Sequence, residues 1–389
     1  MWYKKGINEG QKVFLLFIYE NLSVVQIGCT DGHYLCIVFN IIIMSRYDSL
    51  ISKIQDRYNP EHNREISLRV NSELSGIDKD VARYVKMAMN EVDQRYTQIT
   101  LDAGENVKQH LKDNQIGIEY RYQGSVMTRT HIRGVSDIDL LTITSKFNDT
   151  DLTKVVNILN SPYPTYNYRE MNQLRRWKDS FSRYQGNANA DLRTLRLDDE
   201  NILKRFYSQC DITKPKSIKV TNLHFHRDVD VVVASWHDSV DYIRGLGEEY
   251  RGIQIYNKDT NLRIGPDYPF LSISKINTRS SETGGRLKKM IRFLKNVRTD
   301  SDNEISLTSF EINAICYDIP VEDYQNLHYL ELVKVLWLKL YHLCTNEKEA
   351  DELKSVDGTE YIFRNNHQKL EDLKKLQSEV WNIYQEIKK

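Results

Sequence analysis

Residues 123–143 read QGSVMTRTHIRGVSDIDLLTI, and the reading of this stretch decides the fold. VSDIDLLTIT has the apolar, β-branched texture of a strand. On a strand, residues two apart point to the same face. Asp137 and Asp139 therefore stand side by side, with Ile138 and Leu140 turned into a core. Two adjacent carboxylates repel unless a cation lies between them. Hard oxygen donors of this kind suit Mg²⁺, which shares its coordination with substrate phosphates. Gly124-Ser125 precedes the pair. A glycine lets the backbone approach a phosphate closely, and the amides after it donate to phosphate oxygens. The Ser125 hydroxyl adds a donor.

Working outward, a third acid is expected from a second strand. Residues 224–234, HFHRDVDVVVA, supply it. Residues 217–235 read as one long strand, with Leu223, Phe225, Val229, Val231 and Val233 on an apolar face interrupted by Arg227. His224, His226, Asp228 and Asp230 take the other face. Asp230 is preferred as the third ligand because the buried run Val231–Ala234 follows it; Asp228 is the alternative. Three carboxylates and two Mg²⁺ ions, with Mn²⁺ as a substitute, fit two-metal nucleotidyl transfer. The competing reading is a set of solvated acids on edge strands. His224 and His226 lack a third partner and read as strand residues.

Around these strands the chain is helical. Residues 78–112 carry Val81, Val85, Ala88 and Val92 at helical spacing, which predicts one long helix or two joined ones. Residues 149–210 also read as helical, as does the chain from Thr283 onward, with a cap at Ser281 or Thr283. The class is α+β: a mixed sheet with flanking helices, then a C-terminal helical domain. In RLKKMIRFLKNVR, Lys288, Arg292 and Lys295 share one face and could clamp triphosphate charge. A solvated face is the plain alternative. Tyr163–Tyr184 interleaves aromatic and basic residues, a pattern for stacking bases or for a partly buried surface helix.

Bulk composition narrows the function. The 389 residues carry 54 basic and 54 acidic side chains, a net charge of zero. A protein that coats nucleic acid is basic, so no stable nucleic-acid partner is expected. Five scattered cysteines without a CxxC pair support neither disulfides nor zinc and suit a reducing cytoplasm. The apolar runs Val13–Tyr19 and Tyr34–Met44 are too short to span a membrane. Residues 1–43 differ in texture from the rest, and Met44 reads as the natural start. The expected divisions are 1–43 as an extension, 44–275 as a nucleotidyltransferase core with N-terminal helices, and 276–389 as the helical domain.

The stretch QGSVMTRTHIRGVSDIDLLTI resembles the opening motif of the bacterial CD-NTases, the SMODS nucleotidyltransferases of the DNA polymerase β superfamily, relatives of cyclic GMP–AMP synthase and oligoadenylate synthase. DVDVVVASW, YPFLSISKINTRSSETGGRLKKMIRFLKNVR and SFEINAICYDIP follow in the family's order. The resemblance implies a polymerase β-like core and synthesis of a cyclic di- or trinucleotide messenger from NTPs, ATP among them, in anti-phage (CBASS) defence. It implies Asp137, Asp139 and Asp230 as catalytic metal ligands. It implies nucleotide contacts from Gln123, Gly124, Ser125, Lys288, Arg292 and Ser309. The enzyme would be a cytoplasmic monomer whose product is read by a separate effector protein. Val233 stands where the family's third motif usually has proline, and residues 1–43 have no counterpart. The alternative is a nucleotidyltransferase acting on tRNA, an antibiotic or a protein.

Overall fold

The computed structural model describes residues 49–57, 72, 74, 76–77, 79–134 and 138–389. Asp137 and the extension 1–43 lie outside the described residues. The chain divides into two compact units, 1–84 and 85–389. In the first, residues 49–57 are helical, and the Arg83 side chain donates to the Ile77 carbonyl at 2.8 Å.

The stretch 78–112 forms two helices, α1 (Asp80–Met89) and α2 (Gln94–Lys112). Asp93 separates them. Its carboxylate accepts the Arg95 amide at 2.8 Å and caps α2. The strands are β1 (Ile118–Gln123), β2 (Ile138–Thr150), β3 (Cys210–Asp211), β4 (Ile218–Asn222), β5 (Arg227–Asp238), β6 (Gly252–Asn257) and β7 (Leu262–Asp267). They form one mixed sheet in the order β1-β2-β5-β4-β3, with β6 joining β5 to β7. β2 and β5 are parallel and their other pairings antiparallel. β5 is long enough to serve two neighbours. Its first half pairs with β4 and its second half with β6.

The alternation of apolar residues decides which face is covered. Ile138, Leu140, Val229 and Val231 are fully buried against Ala103, Val107 and Leu111 of α2 and Ile202 and Leu203 of α5 (Ala188–Phe206). The intervening residues point the other way. There Leu141, Ile143, Val232 and Ala234 form an apolar floor with Ile253 and Ile255. Between β2 and α5 lie α3 (Leu152–Leu159) and α4 (Tyr168–Ser180); α6 (Val240–Ile243) follows β5. The C-terminal helices are α7 (Pro269–Glu282), α8 (Arg286–Asp300), α9 (Ser309–Tyr317), α10 (Glu331–Thr345), α11 (Glu347–Glu352) and α12 (His367–Lys388). α8 sends Leu287, Met290, Ile291, Phe293 and Leu294 into their shared core, all fully buried.

Two local expectations are corrected. Residues 217–235 are a hairpin, not one strand. The chain turns over Leu223–His226, His226 at φ 51°, so that Asn222 pairs with Arg227. The apolar alternation ran on through the turn, which hid it. The cap of α8 is Gly285, in the left-handed region at φ 82°, rather than Ser281 or Thr283. Thr283 is the C-cap of the preceding helix, where its hydroxyl donates to the Arg279 carbonyl at 2.8 Å.

Candidate active site

The ladder places Gln123, Asp139, Asp230 and Lys219 in one row across β1, β2, β5 and β4. Neighbouring strands lie about 4.8 Å apart. Asp139 and Asp230 are thus adjacent carboxylates on the open face, just before the apolar floor begins. Gly124 follows in the left-handed region at φ 88°. A Cβ there would lie 2.7 Å from Asp139 Oδ2. Glycine is required twice over, for the turn and for the carboxylate beside it.

Asp230 is held loosely and Asp228 tightly. Asp230 Oδ1 accepts from Lys214 Nζ and Ser217 Oγ, both at 3.3 Å. Its second oxygen has no hydrogen-bond partner among the described residues. Asp228 instead accepts the Thr221 hydroxyl at 2.6 Å and pairs with Lys219 at 2.7 Å. Its neutralisation is complete within the hairpin, and it does not stand opposite Asp139. The segment carrying Lys214 and Ser217 is fixed from below. Arg196, 2% exposed, donates to the carbonyls of Lys214 at 3.1 Å and Ser217 at 3.0 Å. Glu200 balances its charge at 2.7 Å.

The turn after Gly124 is also braced. The Thr130 amide donates to the Ser125 carbonyl at 2.9 Å, and the Thr128 hydroxyl to the same oxygen at 3.1 Å. From α8, Lys295 Nζ donates to the Thr130 carbonyl at 3.0 Å and Arg292 to the Arg129 carbonyl at 2.7 Å. Arg292 was expected to contact the triphosphate; here it has a structural role. Its guanidinium is buried and also donates to the Met89 carbonyl at 2.9 Å, so it supports the turn. The three cations of this face serve two ends, because depth differs along the helix. Lys288, nearer the start of α8, is half-buried and forms no ion pair among the described residues; burial, then the Arg292 charge, lowers its pKa.

A cavity of about 320 Å³ opens over the floor. Gln123, Gly124, Ser125 and Asp139 line one end, and Ser309 lines it from α9. Ser309 begins a helix closed by a capping box in which Thr308 and Glu311 bond reciprocally. Asp267, Tyr268, Phe310 and Asn313 also line the cavity, and nothing in their spacing marks them in the sequence. None of Tyr163–Tyr184 lines it. Tyr166 packs under Arg244 at 4.5 Å and Trp177 on Phe181 at 5.0 Å, which accounts for part of that pattern as packing. The described cysteines, Cys210, Cys316 and Cys344, are free. Among the described residues no helix is long and apolar enough to cross a membrane.

Residues 274–385 match the family described as the cGAS/DncV-like nucleotidyltransferase C-terminal helical domain. A c-di-GMP synthase of Lachnospiraceae bacterium (strain RUG226) is 51% identical over 342 residues, covering 88% of this chain and 98% of that one. The chain belongs to the bacterial CD-NTases. The solved structure of a STING-associated CdnE c-di-GMP synthase from Capnocytophaga granulosa resembles this CD-NTase with a TM-score of 0.72 at 44% identity, covering 87% of this chain and 97% of that one. One from Flavobacteriaceae sp., also described as a STING-associated CdnE c-di-GMP synthase, gives 0.77 at 38%, with the same coverage. This CD-NTase is therefore a nucleotidyltransferase, with the mixed sheet and C-terminal helical domain expected of the fold.

Proposed function

We propose that this CD-NTase joins two molecules of GTP into cyclic di-GMP, a second messenger read by a separate effector in anti-phage defence. The observation that carries the catalytic part is the pairing of Asp139 with Asp230 across the parallel strands β2 and β5. The choice of cyclic di-GMP rests on the relatives named c-di-GMP synthases. GTP takes the place of the ATP expected from the sequence. The division at 275/276 into core and helical domain is retained as part of this reading.

The residues fit divalent metal. Asp139 and Asp230 offer oxygen donors side by side, and the second Asp230 oxygen lacks a protein partner among the described residues. Asp137, two residues before Asp139, completes the ligand set. Bound Mg²⁺ or Mn²⁺ would lower the pKa of the attacking hydroxyl and neutralise departing pyrophosphate. The chain does the rest. The backbone of Gly124 and Ser125 holds the triphosphate, with Gln123 and Ser309 lining the same cavity. Lys288 adds charge from α8. Asp230 stands where a ribose hydroxyl would be deprotonated, and Lys214 keeps its carboxylate oriented. Each step joins one ribose oxygen to one α-phosphorus and releases pyrophosphate. The linear intermediate then turns in the cavity for ring closure.

The test is incubation of the full chain with each labelled NTP and Mg²⁺ or Mn²⁺, followed by phosphatase. A resistant product from GTP alone, lost in Asp230→Asn, is expected. Label transferred to RNA or protein, or a strict need for ATP, overturns the reading.

A further inference from the structure

At the end of the cavity away from Gly124 lies a carboxylate that accepts no hydrogen bond among the described residues. Asp267 ends β7, where it pairs with Ile253. Ile253 in turn pairs with Trp236, six residues past Asp230 and roughly 20 Å along that strand. Asp267 nevertheless lines the same cavity as Gly124, Ser125 and Asp139. It is half-buried, and its side chain accepts no hydrogen bond among the described residues. Its acidic neighbour Asp357 is different. Asp357 Oδ1 accepts from Ser355 Oγ at 2.7 Å and Thr359 Oγ1 at 2.6 Å, and Oδ2 accepts from Ser272 Oγ at 3.1 Å. That carboxylate is used up in shaping its own loop. A second orphan faces the cavity independently. Asn313 Oδ1, on α9, is buried and also lacks a partner among the described residues.

A buried acceptor without a donor is costly, and a carboxylate more so. Two unpartnered acceptors lining one cavity call for a ligand rich in N–H groups. The bases differ here. Guanine presents N1–H and N2–H₂ side by side, two donors matching the two oxygens of a carboxylate. Adenine presents the N1 lone pair beside N6–H₂, so one carboxylate oxygen would meet an acceptor. Cytosine has the same conflict at N3, and uracil offers one N–H between two carbonyls. The apolar part of the lining suits a flat ring: Ile255, Ile273 and Ile276, with the exposed Phe310.

We propose that Asp267 selects guanine, its carboxylate accepting N1–H and N2–H₂ of the GTP whose triphosphate lies on Gly124 and Ser125, with Asn313 offering a further acceptor. This rests on the nucleotide reading of the cavity given above.

Equilibrium binding of GTP, ITP and ATP to the full chain with Mg²⁺, by calorimetry, tests it without requiring turnover. ITP lacks the N2 amine. The wild-type chain is expected to bind ITP about tenfold more weakly than GTP, and ATP weaker still. Asp267→Asn places a donor and an acceptor where two acceptors stood, which suits adenine. It is expected to lose about 10- to 100-fold in GTP affinity, to bind GTP and ITP alike, and to gain in ATP affinity. Equal binding of GTP and ITP by the wild-type chain, a comparison that needs no variant, overturns the proposal. So does an unchanged GTP-to-ATP ratio in a folded Asp267→Asn. Guanine-selective binding without any cyclic product would instead sink the synthase reading and leave this one standing.

Discussion

Lys295 of α8 is 1% exposed and donates to the backbone carbonyl of Thr130, so a helix of the C-terminal domain holds the turn that begins at Gly124. Burial, with the Arg298 and Arg292 charges, pulls its pKa down to about 7. A lysine with a lowered folded pKa binds fewer protons folded than unfolded between about pH 7 and its ordinary value. Stability should therefore rise with pH from about 7 upward as this charge is relieved. Lys295→Met removes the charge and flattens that rise, which urea unfolding at pH 7 and pH 9 measures. The same variant frees the turn and should raise KM for GTP more than it lowers kcat.

The two acidic residues of β5 should behave differently. Asp230→Asn and Asp139→Asn each remove a ligand oxygen and are expected to lower turnover about a thousandfold, several kcal/mol of transition-state stabilisation. Asp228→Asn loses its pairing with Lys219 but leaves the row facing Asp139 intact. Its turnover should stay within about threefold of wild type, since a partly exposed pair contributes at most about 1 kcal/mol. Pyrophosphate release measures all three.

Gly124→Ala tests the turn. Alanine at φ 88° costs about 1–2 kcal/mol in backbone strain, and its Cβ meets Asp139 Oδ2 at 2.7 Å. The carboxylate must move. Turnover should fall by about 100-fold or more while the melting temperature drops only a few degrees.

Arg196 supports the site from α5, the helix packed against the sheet. Arg196→Met leaves Glu200 buried and unpaired and orphans the carbonyls of Lys214 and Ser217. The expected loss is about 3–5 kcal/mol in chemical denaturation, the magnitude for breaking one side of a buried pair.

Base selection should depend on pH. Burial first, then the charges of Glu360 and Asp357, push the Asp267 carboxyl up to about 6, and Lys216 opposes them. Above pH 7 the group is ionised and accepts two N–H bonds. Once protonated, it both donates and accepts, which fits adenine. The ratio of GTP to ATP affinity should fall about tenfold between pH 8 and pH 5, one pH unit below that pKa. The sign for stability is set by the same raised pKa: this group costs stability increasingly from about pH 4 to 6 and fully above it.

Much of this was legible in local pattern. Period-two alternation put Ile138, Leu140, Val229 and Val231 in the core and their acidic neighbours on the other face, and burial agrees. The turn at Leu223–His226 was not legible, because apolar residues continued the alternation across it. The burial of Arg292 was not legible either, because helical spacing gives a direction around the axis but no depth. On one face Lys288 is half-buried, whereas Arg292 and Lys295 are enclosed by backbone carbonyls.

By itself the sequence determined which side chains are acidic, which strand faces they take and that glycine precedes them, since these follow from chirality and spacing along one chain. Only the tertiary structure decided that Asp139 neighbours Asp230, that Lys214 and Ser217 reach the latter, and that Asp267 faces the same cavity. Those meetings depend on the order and direction of strands far apart in the chain, which are fixed by how the sheet buries its apolar faces as a whole.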